Sequence, residues 1–79
     1  MHPKMKEQVE RELEKLRRCQ PNAQVLQERY SKAHRAYVNA VLDSDGKGDG
    51  FYGDAQFINY AAKEACLIYA AEVGIRLEV

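Results

Sequence analysis

The chain has little of what most chemical functions need. It has no threonine, and Ser31 and Ser44 are its only serines, so hydroxyl nucleophiles are scarce. Its two histidines, His2 and His34, have no second histidine or cysteine one helical turn away that would complete a metal pair. No nucleophile and base can be paired from their spacing. The sequence therefore predicts a protein that is not an enzyme.

Cysteine and long apolar runs are also scarce. Cys19 and Cys66 are too few for a disulfide framework and match no zinc-binding spacing, so we interpret them as free thiols, with one bridge between them left open. Each is expected to behave as a small buried apolar side chain. The longest apolar run, residues 65–71, is far shorter than the roughly 20 residues that span a bilayer. The charged N-terminal turns lack the apolar core of a signal peptide, so we expect a soluble cytoplasmic protein.

The formal net charge is zero, but its distribution is uneven. Residues 1–42 carry nine Lys/Arg against five Glu, and residues 43–79 carry three Lys/Arg against seven Asp/Glu. A weak nucleic-acid-binding function is one alternative, and its candidate residues are Arg17, Arg18, Arg29, Lys32 and Arg35. The basic excess is small, which favours a solvated helix surface over a nucleic-acid interface.

Three helices are predicted from apolar residues that recur at spacings of three and four. Helix 1 spans residues 3–20, where Pro3 suits a first helical position. Its apolar stripe consists of Met5, Val9, Leu13 and Leu16. Pro21 breaks this helix, and Asn22 is expected to cap helix 2, which spans residues 22–42. The short connection predicts a helical hairpin.

Helix 3 is predicted over residues 54–73, with Asp54 as its N-cap and Gly74 at its C-terminal cap. Its apolar residues cover most of the helix circumference, which indicates burial on more than one side. Two partner helices can scarcely cover it, so the surplus predicts a homodimer or another protein partner. The tail, residues 74–79, alternates apolar and charged residues and suggests a short extended segment. The expected fold is a small all-α three-helix bundle, with a mostly buried third helix, in one domain.

The segment between helices 2 and 3, DSDGKGDGFYGD at residues 43–54, concentrates aspartate and glycine. It resembles the twelve-residue calcium loop of EF-hand proteins, because oxygen ligands and a central glycine fall at matching positions. This resemblance implies a calcium site, with Asp43, Asp45, Asp49 and Asp54 as candidate ligands. The match departs from the family where Lys47 occupies a ligand position, Gly50 an apolar one, and Asp54 the place of a bidentate glutamate.

The simpler interpretation of residues 43–54 is a solvated connector. A GxGxxG pattern at residues 48–53 does not indicate dinucleotide binding, because a helix precedes it and the segment is acidic. Phe51 and Tyr52 either pack onto the bundle or bind a partner, together with Asp45 and Asp49, since aromatic residues are enriched at interface hot spots. An acidic segment of this kind would suit a basic protein surface.

These observations favour a non-enzymatic protein–protein interaction module that acts as a regulator or inhibitor by occluding or bridging another protein. No cofactor is expected, except calcium under the alternative interpretation. Proteins of this size and class include phage-encoded inhibitors of host systems, an analogy that rests on size and class alone.

Overall fold

The computed structural model describes the backbone of residues 3–44 and 54–78, and the side chains of residues 3–42 and 56–78. Three helices occupy most of this part of the chain: α1 (Pro3–Cys19), α2 (Ala23–Ser44) and α3 (Asp54–Val73). The predicted all-α class and the small three-helix bundle are confirmed. None of the helices in the described ranges is both long enough and apolar enough to cross a membrane.

The first helix, α1, buries one narrow stripe. The four stripe residues are Met5, Val9, Leu13 and Leu16, and all are less than a tenth exposed. The helix ends at Cys19, one residue before the predicted end, because Gln20 adopts a left-handed conformation with φ of 48°. The amide of Gln20 still donates to the carbonyl of Leu16 at 2.8 Å, which closes the last turn.

The second helix, α2, begins where a side chain satisfies its free amides. The Oδ1 atom of Asn22 accepts a hydrogen bond from the amide of Val25 at 2.9 Å, and the carbonyl of Asn22 accepts from Leu26 at 2.9 Å. The predicted N-cap at Asn22 is thereby confirmed. The buried residues of α2 are Leu26, Tyr30 and Ala33. The helix extends to Ser44, two residues past the predicted end.

The third helix, α3, ends in a glycine cap. Gly74 has φ of +76°, and the amide of Ile75 donates to the carbonyl of Ala70 at 2.8 Å, which is the hydrogen-bond pattern of a Schellman motif. The predicted C-terminal cap is therefore confirmed. The α3 side chains that enter the core are mostly small: Ala61, Ala65, Cys66, Tyr69 and Ala70.

The packing of the bundle is centred on α3. Both α1 and α2 pack against α3, and among the described residues α1 and α2 do not pack closely on each other. The molecule is accordingly thin, with principal extents of 38 × 24 × 16 Å. The outer helices lie on α3 without packing on each other and leave a groove between them.

The C-terminal end of α2 is joined to the N-terminal half of α3 by polar and aromatic contacts. Gln56 is buried and donates from Nε2 to the carbonyl of Ala40 at 3.1 Å. One turn further along α3, the ring of Tyr60 lies 5.4 Å from the ring of Tyr37, and the ammonium of Lys63 lies 4.7 Å from the centre of the Tyr60 ring. These contacts fix the antiparallel register of α2 and α3.

The tail after α3 lies extended against α2. Ile75 and Leu77 pack on the core, and Gln27 holds the segment through its side-chain amide. Nε2 of Gln27 donates to the carbonyl of Glu78 at 2.7 Å, and its Oε1 accepts from the amide of Glu78 at 2.7 Å. Gln27 therefore pairs with the tail in the way that a neighbouring strand would.

Candidate functional site

The segment that carried most of the predicted site residues cannot be compared with the structure. The side chains predicted to bind a partner or calcium all lie outside the described residues: Phe51, Tyr52, Asp43, Asp45, Asp49 and Asp54. The backbone of Asp43 belongs to α2, and Asp54 begins α3. Within residues 3–42 and 56–78, no three His, Cys, Asp or Glu side chains are grouped to hold a metal ion. The calcium site stays a prediction.

The five candidate nucleic-acid residues fall into different environments. Arg17 forms a two-point contact with Glu72 on α3, and Arg18 pairs with Glu14 at 2.6 Å within α1. Arg29, Lys32 and Arg35 lie on α2. Lys32 and Arg35 share one open recess, and Arg29 and Lys32 share a second, more enclosed one with Lys15 of α1. Nucleic-acid binding through these residues likewise stays a prediction.

The first candidate surface is the outer face of α3. Its residues follow spacings of three and four, and each is partly or fully exposed: Phe57, Tyr60, Glu64, Leu67, Ile68 and Ala71. Leu67 and Ile68 are 37% and 38% exposed although they are large apolar residues in the middle of the central helix. Phe57 packs against the core and Tyr60 against Tyr37 of α2, so one end of this face is partly covered. Leu67 and Ile68 remain exposed, and they are the apolar surplus that the sequence indicated.

A second group of exposed apolar residues lies at the end of α2. Val38, Val41 and Leu42 are exposed there, and Leu42 is 69% exposed. The Gln56–Ala40 contact keeps the start of α3 close to these residues, and Ile58 adds a further exposed side chain. This surface adjoins, in sequence, the segment that carries Phe51 and Tyr52.

The second candidate surface is the groove between α1 and α2. It has a volume of about 250 Å³, and all three helices contribute to it. Three alanines line it, Ala33, Ala36 and Ala62, which we call the alanine floor. Leu16 and Cys66 complete the apolar part of its lining.

The rim of this groove is positively charged. Lys15, Arg29 and Lys32, which we call the groove cations, line it together with a single carboxylate, Glu12. Glu12 accepts from the Gln8 amide at 3.1 Å and lies 3.6 Å from the Lys15 ammonium. Arg29 and Lys32 form no ion pair with another described residue. The groove therefore combines an apolar floor with two uncompensated cations.

The two cysteines are free, and they differ in environment. Burial raises the pKa of the Cys66 thiol to about 11; Arg29 opposes this rise and Glu12 adds to it. Cys66 is thus protonated at neutral pH and behaves as part of the apolar floor. Cys19 is exposed, contrary to the expectation of burial, because it is the last residue of α1 and lies off the buried stripe.

Of the groove residues, sequence reasoning singled out Leu16, Arg29, Lys32 and Cys66, but it did not bring them together. Periodicity marks residues that face inward on one helix, and Lys15, Arg29 and Ala62 come from three different helices. The packing of both outer helices on α3 places these residues around one recess. The small residues at Ala33, Ala36 and Ala62 were a usable signal, since small side chains permit close approach of another helix.

The fold and these surfaces define a small helical bundle with one uncovered apolar face and one basic groove. No protein-family model, no curated protein and no solved structure matches the chain.

Proposed function

We propose that this chain is a non-enzymatic protein–protein interaction module, acting in the cytoplasm as a regulator or inhibitor that occludes or bridges another protein. The observation that carries the proposal is the uncovered outer face of α3. A helix that is apolar on nearly all sides is expected to be covered on nearly all sides. Here α1 and α2 cover part of α3, and Leu67 and Ile68 stay accessible at its centre.

The chemistry of the outer face favours a protein as the partner that covers it. Contiguous exposed apolar surface rimmed by polar residues is typical of protein interaction sites. On the outer face, Leu67 and Ile68 are exposed beside Glu64, whose carboxylate lies 3.3 Å from the Lys63 ammonium. A flat helical face also lacks the enclosure that small-molecule sites need. A second copy of the chain is the first partner to test, because a self-complementary face produces a closed dimer.

The test uses a double variant, Leu67→Arg with Ile68→Arg, which places two cations on the outer face. Sedimentation equilibrium should show association of the unmodified chain and a shift to monomer in the variant, because burying unpaired charge at an interface is costly. Affinity capture from the native host should in addition lose the proteins that depend on this face. Circular dichroism verifies that both chains remain helical.

The matched control is Val25→Arg, which adds a cation at an exposed apolar residue of α2 outside the outer face. It should retain the association and the captured proteins. A monomer at all concentrations, combined with identical captured proteins for the unmodified chain and the double variant, would rule the proposal out. A phage origin and contacts by Phe51 and Tyr52 stay predictions beside it.

A further inference from the structure

The groove between α1 and α2 has the shape of a helix-binding site. The outer helices pack on α3 but not closely on each other, so the groove runs between them along α3. Its alanine floor offers no large side chain that would hold an incoming backbone away. Helices pack with their axes about 8–10 Å apart, at the short end where the contact residues are small. A further helix in this groove would complete a two-layer domain.

The charge of the groove selects the kind of helix. Three groove cations stand against Glu12 alone, which leaves a surplus of two positive charges around an apolar floor. The Glu12 carboxylate already forms an ion pair with Lys15 and accepts a hydrogen bond from the Gln8 amide. Charged rims around apolar centres increase association rates with partners of opposite charge and select against partners of like charge. The complementary partner therefore carries carboxylates beside an apolar stripe.

We propose that the groove binds an acidic amphipathic helix of a partner protein, with the apolar stripe of that helix on the alanine floor and its carboxylates at the groove cations. This is the helix-in-groove mode of recognition, in which apolar residues at helical spacing act as anchors. The volume of about 250 Å³ accommodates anchoring side chains. It falls below the roughly 300–1,000 Å³ of sites that enclose a small molecule.

This inference does not depend on the outer face. Asn59, Ala62 and Cys66 are the α3 residues in the groove, and they lie on a different side of the helix from Leu67 and Ile68. The chain could lose either surface and keep the other. The variant with arginine at positions 67 and 68 should bind a groove ligand as the unmodified chain does, which separates failure of the groove from failure of the outer face.

The experiment selects partners without assuming their sequence. A display library of randomised helical peptides, each about 18 residues or five turns long, is selected on the full chain. The enriched peptides should carry Asp and Glu beside an apolar stripe. Fluorescence anisotropy then measures the affinity of the strongest peptide. We expect it to fall between about 0.01 and 0.15 M salt, because the screening length falls from about 30 to about 8 Å.

Two variants assign binding to the groove. Arg29→Glu with Lys32→Glu should weaken the peptide at least about tenfold, equal to about 1.4 kcal/mol. Its control, Lys6→Glu with Arg76→Glu, makes the same charge change outside the groove and should retain affinity.

Ala36→Trp fills the groove and should abolish binding, whereas Ala71→Trp on the outer face should not. If Ala36→Trp is unfolded by circular dichroism, the charge variants alone decide.

Several results would overturn the inference. They are a selection that yields neutral or basic peptides, dissociation constants no tighter than about 1 mM, and equal weakening by the two charge-reversal variants. A duplex DNA oligonucleotide that binds more tightly than every selected peptide, and loses affinity with Arg29→Glu and Lys32→Glu, would assign the groove to nucleic acid instead.

Discussion

At the scale of single residues, the ends of the helices are determined by a few side chains and backbone angles. Asn22 accepts from the Val25 amide and starts α2 directly after a proline. Gly74 ends α3 in a left-handed conformation at no steric cost. Gln20 ends α1 in the same region of backbone space, although it carries a side chain. The asparagine and glycine caps could be predicted because asparagine is a preferred N-cap and glycine readily adopts the left-handed conformation. Glutamine has no such preference, so the conformation of Gln20 could not be predicted.

The cap at Asn22 gives a direct prediction. Asn22→Ala removes the acceptor of the Val25 amide and should lower the free energy of unfolding by about 1 kcal/mol, within a range of about 0.5–2. Urea denaturation followed by circular dichroism measures the change. Asn22→Asp retains an acceptor oxygen and should stay close to the unmodified chain. Equal loss in both variants would show that the side-chain oxygen does not stabilise α2.

At the scale of elements, α1 is attached to α3 by a buried stripe and by an ion pair at the surface, between Arg17 and Glu72. Nε of Arg17 donates to Oε1 of Glu72 at 3.1 Å, and a second guanidinium nitrogen donates to Oε2. The hydrogen bond from Arg17 lowers the pKa of Glu72, and the pKa of Arg17 is raised by the same contact. Both groups are largely exposed to solvent, so the pair contributes less than its geometry suggests.

The pH dependence of this pair follows from the direction of the shift. Since the pKa of Glu72 is lower in the folded chain, the stabilisation exists above the unfolded pKa of about 4.3 and is lost as pH falls through the folded value. Glu72→Gln should therefore lower the thermal midpoint at about pH 7. The two chains should converge once the pH has fallen below the folded pKa of Glu72, because the carboxyl is then protonated.

The control for the ion pair is Glu10→Gln, which removes an equal charge from an exposed residue of α1 with no ion pair to a described residue. It should show no comparable convergence. A constant difference between Glu72→Gln and the unmodified chain across the whole pH range would mean that Glu72 acts through packing and not through its charge.

The tail illustrates an element whose structure depends on a distant residue. The alternation of apolar and charged residues suggested an extended segment, and residues 75–78 form neither helix nor strand in the structure. The two hydrogen bonds between Gln27 and Glu78 join residues that are 51 positions apart. No local pattern predicts that pairing, because it exists only once α2 and α3 are antiparallel.

At the scale of the whole molecule, α3 is the common partner of both outer helices. Ala61 and Ala65 are fully buried, which lets the neighbouring helices approach the α3 backbone closely. A thin molecule organised in this way has two free sides. One becomes the basic groove and the other the apolar outer face. The candidate sites are therefore consequences of which helix occupies the centre.

Ala65 tests this arrangement. Ala65→Leu adds a large side chain where none fits and should destabilise the bundle by about 1–3 kcal/mol. Ala23→Leu makes the same change at the exposed first residue of α2 and should stay within about 0.5 kcal/mol of the unmodified chain. Chemical denaturation measures both. A neutral effect of Ala65→Leu would contradict close packing around the centre of α3.

The sequence by itself determined the helices, the asparagine and glycine caps, and the apolar surplus of α3, because each depends on the spacing or chemistry of residues close together in the chain. The tertiary structure alone decided that α3 lies between α1 and α2, and that Lys15, Arg29 and Ala62 line one groove. The physical reason is that periodicity gives the direction of a side chain relative to its own helix. The neighbours that it meets depend on how all three helices pack together.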